Sequence, residues 1–284
     1  MSLTIEHLTY TYMRNTPFEK EALHDVSLTI QDGEFVGIIG HTGCGKSTLI
    51  QHFNGLLKPD PGRILIDGEV MNHANLKEMR KKVGLVFQYP EYQLFEETVF
   101  KDIAFGLKKE NLTPEALQAR VEEAAEIVGL TPELLEKSIY DLSGGQKRRV
   151  AIAGVIVMKP SILVLDEPAA GLDPAGRDEI LRFARNLRDV HGITVVLVSH
   201  SMEDIARMAD RVIVMNEGRV EMTGTPAEVF QHYERLHEIG LSVPQMTVLF
   251  HRLKEYFPHI RDDIYTVDCA AAELTRLLAG GMQS

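Results

Sequence analysis

Gly40-His41-Thr42-Gly43-Cys44-Gly45-Lys46-Ser47-Thr48 lies between two apolar stretches, and its reading decides the fold. Ahead of it, Glu34-Phe35-Val36-Gly37-Ile38-Ile39 is β-branched and apolar, the composition of a buried strand. Behind it, Thr48-Leu49-Ile50-Gln51-His52-Phe53 reads as the first turns of a helix. Strand, G-x-x-x-x-G-K-[ST] and helix in that order make a P-loop. The glycines let successive backbone N–H groups point at phosphate oxygens, and the helix N-terminus adds roughly half a positive charge. In this reading Lys46 reaches the outer phosphates and the Ser47 hydroxyl ligates Mg²⁺. A turn merely capped by Ser47 and Thr48 is disfavoured once the flanks are counted, so residues 40–48 are expected to bind a nucleotide.

Working outward, residues 2–8 alternate polar and apolar and predict a half-exposed strand, with Tyr10 and Tyr12 just past it. Residues 25–30 repeat the alternation, and Gln31-Asp32-Gly33 turns the chain into the strand that feeds the loop, so the opening reads as antiparallel. Short strands are expected at 63–67, at 83–87 ending on Gln88, at 162–165 ahead of Asp166-Glu167-Pro168, and at 194–198 ahead of Ser199-His200. Two more flank the Asn216-Glu217-Gly218 turn. Helical spacing covers 99–107 and 115–128, and Leu142-Ser143-Gly144-Gly145-Gln146 opens a helix from Lys147 to Met158. That helix is apolar all round after Arg149 and must be largely buried. A further helix spans 174–190. From about residue 225 the pattern changes: a short helix at Pro226, a linker at 235–243, a helix from Pro244 to Tyr256 and a last one at 268–279.

Strands alternating with helices from 34 to 215 predict an α/β fold, a P-loop NTPase core whose mostly parallel sheet has helices on both faces. To it are added an N-terminal antiparallel β subdomain, a helical lobe at about 89–158 and a short C-terminal α-rich extension. The expected division is 1–230 for the nucleotide-binding domain and 231–284 for the extension.

Composition limits the functions open to such a chain of 284 residues. Net charge is -11, which argues against nonspecific binding of nucleic acid, because no excess cation exists to displace counterions. Two cysteines, Cys44 and Cys269, give no disulfide framework and fit a reducing compartment. No secretory leader opens the sequence, and the apolar runs fall far short of the roughly 20 residues that span a bilayer. Any membrane role is therefore expected to be peripheral.

In open α/β sheets, ligands bind beyond the carboxyl ends of the strands. The P-loop, Gln88, Asp166-Glu167 and His200 all fall at such ends. Each alone has a plainer account: a loop glutamine, a capping carboxylate, a structural histidine. Together beside a P-loop they describe a nucleotide-hydrolysing site. Mg²⁺ wants hard oxygen ligands, here Ser47, the Gln88 carbonyl, Asp166 and two phosphate oxygens. Glu167 points the other way at the strand end and can orient or deprotonate a water in line with the γ-phosphate. His200 can donate to the γ-phosphate as charge builds. Ser143-Gly144-Gly145-Gln146 makes a second anion cradle by the same backbone logic. One nucleotide does not need two cradles, so the economical arrangement is a dimer in which each chain covers the other's γ-phosphate. Lys147, Arg148 and Arg149 support this weakly, and also read as a solvated basic face.

These residues resemble the ATP-binding subunits of ABC transporters over residues 1 to about 230: Walker A at 40–48, a Q-loop at Gln88, the LSGGQ signature at 142–146, Walker B at 162–167, a D-loop at 170–173 and a switch histidine at His200. The resemblance implies that Tyr12, placed better than Tyr10, stacks on the base, and that Ser143, Gly144, Gly145, Gln146 and Asp173 contact nucleotide across a dimer. Lys46, Gln88, Glu167 and His200 are the implied catalytic residues, with ATP and Mg²⁺ as cofactors. Ser201 departs from the pattern, which commonly has an acid after the switch histidine.

Gln88-Tyr89-Pro90-Glu91-Tyr92-Gln93-Leu94-Phe95, with Thr16 to Lys20 and Asn54-Gly55-Leu56-Leu57, resembles the second ATPase of energy-coupling factor (ECF) importers for vitamins or transition-metal ions. That resemblance implies a homologous partner ATPase (heterodimer, or homodimer), a transmembrane coupling protein docking near residues 88–99, and a membrane-embedded substrate-binding protein. The place implied is the cytoplasmic face of the cell membrane. A conventional importer ATPase is the nearest alternative, separated by residues 16–20, 88–95 and the tail. A soluble ABC ATPase is further off, since neither tandem cassettes nor a long coiled-coil insertion is present.

Overall fold

The computed structural model describes residues 2–281. In chain order its strands are β1 (Leu3–Tyr12), β2 (Lys20–Ile30), β3 (Phe35–Ile39), β4 (Arg63–Ile66), β5 (Glu69–Val70), β6 (Val83–Val86), β7 (Ile162–Asp166), β8 (Thr194–Val198), β9 (Arg211–Asn216) and β10 (Arg219–Gly224). Six of them form one sheet in the order β10-β9-β3-β8-β7-β6, parallel throughout except for the β9–β10 hairpin at its edge. The other four form an antiparallel sheet, β2-β1-β4-β5.

The unbroken apolar runs of the parallel strands follow from burial on both faces. Phe35 and Ile39 of β3 enter one core with Leu163, Leu165, Val195 and Leu197. Val36 and Ile38 enter the other with Ile162, Val164, Val196 and Val198. Successive side chains of a strand point to opposite faces, so each strand must be apolar throughout. The second core is closed by the antiparallel sheet, through Leu3, Ile5, Leu8 and Ile30, and by α1 (Lys46–Phe53), through Leu49, Ile50 and Phe53. Beside them α2 (Leu76–Lys82) adds Met79.

The first core is shared with the helical lobe, α3 (Val99–Ala104), α4 (Pro114–Ile127), α5 (Pro132–Leu135) and α6 (Gly144–Ile156), and with α7 (Pro174–Asp189) and α8 (Met202–Met208). Helices therefore lie on both faces, as expected. The N-termini are set by sequence: Thr98, Thr113, Ser143, Asp173 and Ser201 each accept a backbone N–H of the following turn through the side chain.

Several boundaries differ from expectation. β1 runs on to Tyr12 because β2 pairs with it as far as Tyr12–Lys20, so both tyrosines lie within the strand. α6 begins at Gly144, since Ser143 and Gln146 close a reciprocal capping box that supports the two glycines. No residue of 150–156 on it is exposed. The expected linker at 235–243 is instead packed structure. After α9 (Pro226–Phe230), α10 (Tyr233–Glu238) buries Leu236 completely, and Leu241 and Val243 join the same large core. Flanking charges such as Glu234, Arg235 and Glu238 mask that apolar set in the sequence. Beyond it, α11 (Gln245–Leu253) and α12 (Val267–Gly281) enclose a small core of Phe250, Ile260, Ile264 and Ala270. The expected extension ends at 284, and its last three positions lie outside the described residues. Among the described residues no helix is long and apolar enough to cross a membrane.

Candidate active site

Because β3, β8, β7 and β6 are adjacent and parallel, their carboxyl ends share one edge. The P-loop leaves β3 there, His200 follows β8, Glu167 follows Asp166 at the end of β7, and Gln88 follows β6.

The loop is built by close approach. A Cβ on Gly40 would lie 2.5 Å from both Cys44 Sγ and the Met215 carbonyl oxygen, and one on Gly45 would lie 2.7 Å from the Ala22 carbonyl oxygen. Gly40 and Gly45 also have φ of +158° and +104°, the latter firmly in the region that favours glycine. Gly43 has no atom within 4 Å of an added Cβ, so it borders open space. Cys44 is buried, filling a small space under the loop. Lys46 is also buried; its Nζ donates to the Gly40 carbonyl at 2.6 Å and the His41 carbonyl at 3.1 Å, so the ammonium sits inside the loop. The His41 ring lies 2.9 Å from the Thr42 carbonyl, and Thr42 and Ser47 are exposed at the rim. Buried Thr48 meets the Tyr12 hydroxyl at 3.1 Å, which joins the end of β1 to α1. Tyr10 is taken up by packing, edge-to-face on His52 and on Tyr12 with ring centroids 4.9 Å away in each case.

At the neighbouring strand end, burial, reinforced by the charge of Glu167 and opposed by Lys46, pushes the Asp166 carboxyl up to about 6. Glu167 takes a positive φ of 49°, uncommon for a non-glycine residue, and its amide donates to the Val198 carbonyl at 2.9 Å. Its carboxylate is held from both sides: Gln88 Nε2 donates to Oε2 at 3.2 Å, and His200 Nε2 lies 2.7 Å from Oε1. Gln88 and His200 are exposed, so this line of three faces the solvent side of the edge. The set is rich in hard oxygens. Among the described residues, however, no three His, Cys, Asp or Glu side chains cluster as a self-sufficient metal cage.

The second cradle lies apart from this line, with no hydrogen bond joining Ser143–Gln146 to it among the described residues. Ser143, Gly144 and Gly145 are exposed, and an added Cβ on either glycine meets nothing within 4 Å. Nothing in the chain itself requires glycine there. Asp173 is exposed and caps α7 by accepting from the Gly176 amide at 2.8 Å.

Two of the three basic residues beside the cradle have a different use from either expected one. Arg148 is buried, with Nε and Nη2 on the two oxygens of Glu91 at 3.0 and 2.9 Å, while Nη1 reaches the Pro168 and Ala170 carbonyls at 2.9 and 3.1 Å. Arg149 reaches the Gly129 carbonyl at 3.1 Å and the Glu179 carboxylate. No local signal in the sequence marks the first pairing, whose partners lie 57 positions apart.

Comparison with known proteins bears on these geometries. Residues 23–170 match the ABC transporter family model. An ECF transporter ATP-binding protein, EcfA2 of Acetivibrio thermocellus, is 56% identical over 278 residues, 98% of this chain and 99% of that one. The structure of cbiO1 from Clostridium perfringens, described as part of the ABC transporter complex cbiONQ, superposes with a TM-score of 0.74 at 38% identity, covering 90% of this chain and 98% of its own. A dimeric post-hydrolysis state of the ATP-binding cassette MJ0796, bound to ADP and Pi, superposes with a TM-score of 0.69 at 30% identity over 79% of this chain and 98% of that one. On these findings the chain belongs to the ABC transporter family, among the ATP-binding proteins of energy-coupling factor transporters.

Proposed function

We propose that this ATPase of an ECF-type importer works as one half of a head-to-tail pair, each chain's Ser143-Gly144-Gly145-Gln146 closing over the nucleotide held by its partner's P-loop. The observation that carries this is the cradle itself: exposed, at the capped N-terminus of α6, and with two glycines that no contact among the described residues explains. The dimeric MJ0796 cassette bound to ADP and Pi supports the same reading.

In this account ATP displaces the Gly40 and His41 carbonyls from Lys46, which then holds the outer phosphates, while Gly40 to Thr48 supply backbone donors and Tyr12 supplies a face for the base. Residues fit for Mg²⁺ are at hand. Asp166 is buried beside a second carboxylate, and its pKa stays raised despite Lys46, so a divalent cation there would offset the remaining negative charge; Ser47 and the Gln88 carbonyl are hard oxygens. When bound, Mg²⁺ supplies neutralisation of phosphate charge. Glu167 orients the attacking water, Gln88 and His200 hold Glu167 in place, and His200 also donates to the γ-phosphate as charge builds. Asp173 approaches the partner's nucleotide.

The division proposed is an ATP-binding domain over 1–230, with its helical lobe at about 89–158, and an extension over 231–284 that pairs with the second ATPase, a homologue or another copy. Tyr89 pairs with Tyr92 and Phe95 with Phe105, all four exposed, and they offer a face for a transmembrane coupling protein near residues 88–99. The chain then sits peripherally on the cytoplasmic side of the membrane, and a membrane-embedded binding protein selects the vitamin or metal ion.

A mild-detergent pull-down from native membranes tests the assembly. A related ATPase, a coupling membrane protein and small binding proteins are expected. Two large permeases with a soluble binding protein would instead indicate a conventional importer.

A further inference from the structure

Ser201, next to His200, ties the start of α8 to α7. Its hydroxyl caps α8 by accepting from the Asp204 amide at 3.2 Å, and it accepts a second hydrogen bond from Arg177 Nη2. The same guanidinium grips Asp204: Nε lies 3.1 and 2.9 Å from the two carboxylate oxygens, and Nη2 lies 2.9 Å from Oδ1. The Asp204 side chain is only 7% exposed. A carboxylate so far out of water does not readily give up its one bidentate cation.

Arg177 belongs to the first turn of α7, and its amide donates to the Asp173 carbonyl at 2.9 Å. On the other side, the Ser201 amide donates to Ser199 Oγ at 3.0 Å, so the residues flanking His200 are tied to each other. His200 in turn lies 2.7 Å from Glu167. A second ion pair joins the same two helices, Arg207 to Asp178 at 2.9 Å, but both of its side chains are more than half exposed, so it adds little rigidity. α8 is a seven-residue helix with one buried charge at its start. Arg177 therefore sets where that start lies.

Resting on the roles of Glu167 and His200 proposed above, we infer that Arg177 is a positioning residue for His200, a strut that carries the placement of Asp173 to the switch histidine. Asp173 lies on the exposed loop that meets the partner in the proposed pair. Formation of the pair moves or fixes that loop, and the strut delivers the result to the Glu167–His200 contact. Hydrolysis is thereby made to depend on a completed pair through the chain's own α7 and α8, in addition to the partner's cradle. Arg177 itself touches no reacting atom.

The test is a kinetic cycle in the complete ATPase pair. Arg177→Gln should lower kcat by about tenfold, the size of one lost charge-assisted hydrogen bond, with KM for ATP changed by less than about twofold. In a His200→Ala background the same substitution should produce no further fall, because its effect passes through that histidine. Arg177→Lys retains a cation for Asp204 but cannot also reach Ser201. It guards against a folding defect and should lower kcat by about threefold. Equal falls in both backgrounds, an effect confined to KM, or an unchanged kcat would overturn the inference while leaving the site reading intact. A His200→Ala pair as fast as the wild type would overturn the site reading itself, and the inference with it.

Discussion

Arg148→Met removes a guanidinium whose Nε, Nη1 and Nη2 nitrogens all donate, and the loss can be sized from what it leaves behind. The arginine side chain is 5% exposed and Glu91 is 18% exposed, so the carboxylate is stranded in a poorly hydrated place. Breaking a buried ion pair by deleting one partner costs about 3–5 kcal/mol. The residual exposure of Glu91 draws the value toward the lower end, while the orphaned Pro168 and Ala170 carbonyls push it back up. A loss of about 4 kcal/mol, at roughly 2 °C per kcal/mol for a chain of this size, lowers Tm by about 8 °C. The double variant Glu91→Gln/Arg148→Met strands no charge and should recover at least half of that fall. Thermal melts of the purified chain followed by far-ultraviolet circular dichroism measure both. A single variant melting within 2 °C of the wild type, or a double variant no better than the single, would refute the claim that a buried charge pair joins the 90–93 turn, α6 and the segment after Glu167.

Ser143→Arg fills the open cradle while costing its own helix only a cap, about 1 kcal/mol. ATP binding to the variant's own P-loop should persist, whereas hydrolysis at the partner's site should fall at least tenfold; equal hydrolysis in the assembled pair would contradict a composite site. In the C-terminal extension, the Glu273 carboxyl is held down to about 2, first by hydrogen bonds from Arg276 and then by the Arg261 amide and the charges of both arginines. A lowered folded-state pKa stabilises the fold above the unfolded value of roughly 4.3 and loses that support as pH falls toward 2. Amide protection in α12 should therefore drop between those pH values in the wild type and stay flat in Glu273→Gln; a drop of equal size in the variant would remove Glu273 as the cause.

What the sequence revealed and what it hid follow from local versus distant physics. The P-loop was legible because its glycines, lysine and flanking apolar runs are contiguous. Strands such as 162–165 and 194–198 were legible because burial on both faces leaves no charged residue, and only Thr194 as a polar one, within them. Asp166, Glu167, Gln88 and His200 could be gathered from sequence because a parallel sheet brings all its carboxyl ends to one edge. α2 escaped because only Leu76 and Met79 give it an apolar face. The 235–243 stretch escaped because Leu236, Leu241 and Val243 bury against distant residues, which no local pattern encodes. The same holds for the Arg148–Glu91 and Arg177–Asp204 pairs, separated by 57 and 27 positions. Ser201 was visible as an irregularity, but its contact with Arg177 needed the fold.

Steady-state ATP hydrolysis by Glu167→Gln in the assembled pair tests the central claim most directly. Glutamine preserves the shape held between Gln88 and His200 but cannot act as a base. ATP binding should remain, turnover should fall by at least about 100-fold, and a closed ATP-bound pair should accumulate on size-exclusion chromatography. Turnover within about threefold of the wild type would contradict the assignment of Glu167, and with it the account of how this site hydrolyses ATP.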